Sequence, residues 1–170
     1  MAPKSGVTIE DMNSEARARL VAALEGKGAH LTFEHAIHDF PERLMNEKPP
    51  HVPYTFWHQL EHIRRTQADM LDFIQNPNYV HPAWPKDFWP GQDERTNRAG
   101  WDKTVKGYLD DRSRFIKLIE DPKTNLLEYV ERRDGSIFES ALIITDHNAY
   151  HLGEFVMARQ ILGEWKSELA

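Results

Sequence analysis

The chain carries nine histidines and no cysteine, so any transition-metal site in it must be built from imidazole and carboxylate. Disulfides, thiolate ligands and cysteine nucleophiles are excluded on the same ground. Nine histidines is about twice ordinary usage for this length. Two pairs have the spacing that sets imidazoles one turn apart on one helix face, His58-Gln-Leu-Glu-His62 and His147-Asn-Ala-Tyr-His151. Imidazoles so placed can chelate a single ion. Chance supplies on the order of half such a pair at this histidine content, so spacing leaves two readings open: metal ligands, or hydrogen-bonded core and surface histidines.

The second pair sits among Ile143, Ile144, Leu152, Phe155 and Val156, which directs its imidazoles toward a core. A buried imidazole needs partners for both ring nitrogens. A metal satisfies one nitrogen and a nearby acceptor the other, and Glu61, Asp146 and Glu154 are the carboxylates in reach along the chain. His30, His35, His38, His51 and His81 read as ordinary histidines with no ligand role. The residue after His147 is Asn148, so the HExxH metalloprotease motif is absent.

These residues need helices to position them, and four helical segments are expected. The first runs from about Ile9 to Glu25, opened by Thr8 with Asp11 and closed by Gly26 and Gly28, with Met12, Ala16, Leu20 and Leu24 as its apolar stripe. A connection follows from His30 to Pro53, with a helical turn or two at LTFEHAIHDF. The second helix starts at the N-cap Thr55 and stops at Asn76-Pro77. The third spans about Gly100 to Ile119 and ends at Asp121-Pro122; the fourth opens on the capping box Ser136-Ile-Phe-Glu139 and reaches Ile161 or Trp165. Residues Leu126 to Arg133 read as a short strand-like piece before the turn Asp134-Gly135.

Between helices two and three, residues 77–91 (PNYVHPAWPKDFWPG) combine four prolines with Tyr79, Trp84, Phe88 and Trp89. Such a loop is either a lid over a binding site or an ordered cover for the end of a bundle. Its aromatic residues are also a candidate homodimer contact. Tyr150 and Trp57 read as core, and Arg159 as the partner of a bundle carboxylate or of an anionic substrate group.

Composition narrows the classes. With 40% apolar and 28% charged residues the chain is expected to fold as one domain over residues 1–170. The net charge of -6, with basic residues scattered among acids, offers no footprint for phosphate backbones, so no nucleic-acid partner is expected. No apolar run approaches the length of a membrane span and the N-terminus lacks a signal-peptide core, so the expected location is the cytoplasm, with no membrane partner. The element pattern points to an all-α fold, a four-helix bundle with long connections after helices one and two.

The segments DHNAYHLGEFVMARQILGEW and PYTFWHQLEHIRRTQADMLDF resemble the DinB-like (damage-inducible, YfiT-like) family of metal-dependent enzymes, and the resemblance covers nearly the whole chain. It implies a four-helix bundle with one divalent metal ion, zinc or nickel foremost and iron also possible, bound by one histidine of helix two and the HxxxH pair of helix four. Those positions are His62, His147 and His151 here. His62 is preferred to His58 because Tyr54-Thr55 precedes it by about two turns and Leu60-Glu61-His62-Ile63 matches the family's ligand context.

Three neutral imidazoles would leave one position open for water or substrate, as in catalytic zinc sites. The expected function is therefore a metal-dependent transferase or hydrolase acting on a small molecule. Relatives that use low-molecular-weight thiols make such a thiol the expected cosubstrate. His58, Glu61, Asp146 and Glu154 are the candidates for orienting ligands or moving protons. The alternative is a non-enzymatic metal-binding stress-response protein of the same fold.

Overall fold

Each helix begins where a side chain can accept one of its unpaired N–H groups. In the computed structural model, which describes residues 8–130 and 135–165, five α-helices follow in order: α1 (Ile9–Leu24), α2 (Phe33–Ile37), α3 (Phe56–Gln75), α4 (Arg98–Glu120) and α5 (Ile137–Ile161). Thr8, Thr32, Thr55, Asn97 and Ser136 are their N-caps, each accepting from the backbone N–H three residues on. Thr8 and Asp11 form the reciprocal capping box that the sequence predicts. After α1, Gly26 turns the chain at φ 71°, where a Cβ would stand 3.2 Å from the Thr32 backbone.

The fold is all-helical, with a single 3-10 turn at Glu42–Leu44 and no strand among the described residues. The expected strand-like piece is one isolated bridge between Tyr129 and Ser136, and the turn at Asp134 lies outside the described residues. The helical turns expected near residue 33 are α2.

The four long helices each pack against two of the others, in the order α1, α4, α3, α5 and back to α1. Two apolar clusters fill the space between them. One gathers Phe33, Phe40, Phe56, Leu60, Ile63, Trp101, Leu152 and Phe155; the other gathers Leu20, Leu24, Leu71, Phe115, Ile119 and Ile144. The first is rich in rings: Phe40 stacks on Trp101 at 4.6 Å, and Phe155 meets Phe56 edge-on at 5.1 Å.

Two expectations about side chains are corrected. Met12 is 63% exposed because the apolar cluster is met by the second half of α1, through Leu20, Val21 and Leu24. Tyr150 is 64% exposed, on the outer face of α5, whereas Trp57 is buried as expected. Arg159 is buried and donates to the backbone carbonyls of Ala36, His38 and Glu164, satisfying chain ends where α2 meets α5.

Replacing Phe155 by Ala removes a ring shared by Phe40, Phe56 and Trp101 and is expected to cost about 3–5 kcal/mol of stability, read from urea unfolding. Tyr150→Ala, on the exposed face, is expected to stay within about 0.5 kcal/mol of the parent.

Candidate metal centre

The apolar stripe of α3 turns His62 inward, and the packing of α5 against α3 brings His147 and His151 toward it. The three imidazoles converge: one ligand atom from each lies within 4.8 Å of the others, and together they could hold a metal ion. His62 Nε2 and His147 Nε2 are 3.1 Å apart. Bonds of about 2.0–2.1 Å to a tetrahedral zinc would put two ligand nitrogens about 3.3 Å apart. His62 and His151 are buried and His147 half-buried.

The far nitrogens explain why the near ones point together. His62 Nδ1 donates to the Phe88 carbonyl at 3.1 Å, and because a carbonyl only accepts, the proton sits on Nδ1 and the Nε2 lone pair faces the cluster. His151 Nδ1 donates to Glu154 Oε2 at 2.8 Å, with the same result. Glu154 is itself held by the Gln59 amide at 3.0 Å and the Tyr54 hydroxyl at 3.3 Å, while Gln59 also donates to the His151 carbonyl. His147 is the exception, since its Nδ1 faces the Asn148 side-chain oxygen at a longer 3.5 Å.

Of the four residues considered for orienting ligands or moving protons, Glu154 alone hydrogen-bonds a clustered histidine. Glu61, one residue before His62, is turned aside and accepts from Arg64, Arg65 and Thr104. Burial pushes its carboxyl up, but the two guanidinium groups outweigh this and hold it below the usual range. His58 is buried one turn before His62 with its Nε2 against the Glu94 carbonyl at 3.0 Å, away from the cluster. Asp146 is exposed and reaches His147 only as a neighbouring charge.

The loop between α3 and α4 forms a wall of the site. Trp89 stacks flat on His62, with centroids 3.8 Å apart, and Tyr54 packs against Trp89 at 4.9 Å. Arg65 fixes the loop from below by donating to the Trp89 carbonyl at 3.0 Å. Trp84 stays 68% exposed at the rim, 6.2 Å from the His62 ring. Sequence reasoning found this loop but not its carbonyl acceptor, because a backbone oxygen has no residue-type signal. It also missed Gln59, Gln67 and Asn148, whose signal is an amide at an apolar register position of each ligand-bearing helix.

Burial pushes His62 down to about 3, assisted by His151, His147 and Arg65 and opposed by the Phe88 hydrogen bond. It pushes His147 down to about 4, with His151 adding to the effect. Both rings are therefore neutral near pH 7, the form that ligates metal.

Below the unfolded value of about 6.5 the unfolded chain takes up protons that the folded chain refuses, so stability is full above that pH and falls as pH drops toward 4 and 3. Urea midpoints measured without metal between pH 7 and pH 5 are expected to fall with pH, and less steeply in His62→Leu. A scan against protein-family models and searches of curated proteins and of solved structures find no match to this chain.

Proposed function

We propose that this protein binds one divalent metal ion through Nε2 of His62, His147 and His151, and that it belongs with the DinB-like bundles its ligand segments resemble. The observation that carries the reading is the direction of the imidazoles: acceptor-only groups hold the far nitrogens of His62 and His151, so their lone pairs meet at one point. Imidazole ligands suit zinc and nickel, and also ferrous iron. An ion held there would supply a Lewis acid with an open position, able to polarise a carbonyl or to keep a water or thiol deprotonated.

The chain's own residues shape what reaches that position. Phe88 and Glu154 keep two ligands oriented, Trp89 covers one side of His62, and Tyr54 places its hydroxyl on Glu154. Burial and the Glu154 charge push the Tyr54 phenol up to about 12, so it serves as a hydrogen-bond donor at neutral pH. With Trp84 exposed at the rim, the arrangement favours a small molecule with an apolar part, acted on by a transferase or hydrolase, with a low-molecular-weight thiol as cosubstrate of the transferase. No helix among the described residues is long and apolar enough to cross a membrane.

Metal content by elemental mass spectrometry, on protein purified without an affinity tag, is expected to give about one ion per chain, lost in both His62→Ala and His151→Ala. Free zinc at a hundredfold excess over Kd should raise wild-type stability by about 2.7 kcal/mol. Absence of metal after loading with zinc, nickel and iron would remove the proposal. A loaded protein inactive across a broad panel of thiol transfers and hydrolyses would leave metal binding without the enzyme.

A further inference from the structure

A layer of buried amides separates the two apolar clusters at the level of the histidines. On α3, Gln67 stands one turn from Ile63 of one cluster and one turn from Leu71 of the other; on α5, Asn148 stands likewise between Leu152 and Ile144. Gln67 is 0% exposed and Asn148 6%. Amides so placed must find partners for both the oxygen and the NH2 end.

Their bonds form a directed chain. Gln67 Nε2 donates to the backbone carbonyl of Tyr108 on α4 at 2.8 Å, and Asn148 Nδ2 donates to Gln67 Oε1 at 3.2 Å and to the Tyr108 hydroxyl at 3.3 Å. The remaining Asn148 oxygen faces His147 Nδ1 at 3.5 Å. A carbonyl can only accept, so Tyr108 forces the NH2 end of Gln67 toward itself. That leaves an oxygen for Asn148, which must then turn its own NH2 inward and its oxygen to His147. The histidine is thereby offered an acceptor at Nδ1.

We propose that Gln67 and Asn148 are positioning residues that select the His147 tautomer with its proton on Nδ1 and its Nε2 lone pair free for the ion; this rests on the three-histidine metal reading. Gln67 touches none of the three imidazoles, yet it decides which end of Asn148 His147 meets.

The test uses zinc titration and two-bond 1H–15N spectra of histidine-labelled full-length protein. Wild type is expected to show His147 protonated on Nδ1 when zinc-loaded. Gln67→Met keeps the side chain's length but frees the Asn148 amide to flip, and should weaken zinc binding about 10–100-fold with the thermal midpoint showing a folded protein. Adding Asn148→Asp to that variant should restore affinity, since a carboxylate has no donor end to present.

Wild-type affinity in Gln67→Met, no rescue in the double variant, or a zinc-loaded His147 protonated on Nε2 would each overturn the relay while leaving the metal site standing. A wild type that binds no zinc in the first titration would instead overturn the site itself, and the relay with it.

Discussion

A buried imidazole has two nitrogens to satisfy, and three of them in contact impose an accounting that the rest of the site obeys. Three near nitrogens share one space, so three acceptors must be found behind them. They come from three kinds of group: the Phe88 carbonyl of a loop, the Glu154 carboxylate one turn along α5, and the Asn148 amide beside His147. The path of the loop, the polar corner of Tyr54 and Gln59, and the amide layer across the core all follow from meeting that demand in a poorly solvated place.

The surrounding frame makes the accounting enforceable. Ring packing among Phe40, Phe56, Trp101 and Phe155 fixes α3 against α5 at one end, and the Leu71, Phe115, Ile119 and Ile144 cluster fixes them at the other. His147 and His151 lie between the two on α5 and His62 beside the first on α3, all in helix interiors and not on loop tips.

Much of this was legible in the residues. Helix starts at Thr8, Thr55 and Ser136 carry their own hydrogen-bond chemistry, so capping and apolar periodicity located the long helices within a few residues. The histidine trio needed the resemblance as well as the spacing, because His58 and His62 share a helix face and only the turn of α3 against α5 separates the ring that meets the cluster from the ring that meets Glu94. Side-chain fates on α5 were harder, since apolar residues of that helix lie on its exposed as well as its buried side and its pattern cannot say that Tyr150 points outward. The acceptors of Arg159 are main-chain oxygens, which no composition reveals. Glu61 shows a different limit: adjacency to a ligand in sequence means a rotation of about 100° on a helix, and here that rotation delivers it to Arg64, Arg65 and Thr104.

Two of the orienting contacts end on backbone oxygens, Phe88 for His62 and Tyr108 for the amide pair. A carbonyl is common to every residue type, so drift in the side chain at position 88 leaves the hydrogen bond to His62 available, whereas one residue inserted or lost nearby would carry the oxygen away. For that hydrogen bond the heritable requirement is a loop length and course, while the residue type at position 88 answers to packing, its ring being buried. Divergent descendants of this chain would accordingly keep the spacing between α3 and the Phe88 position more faithfully than the letters that fill it.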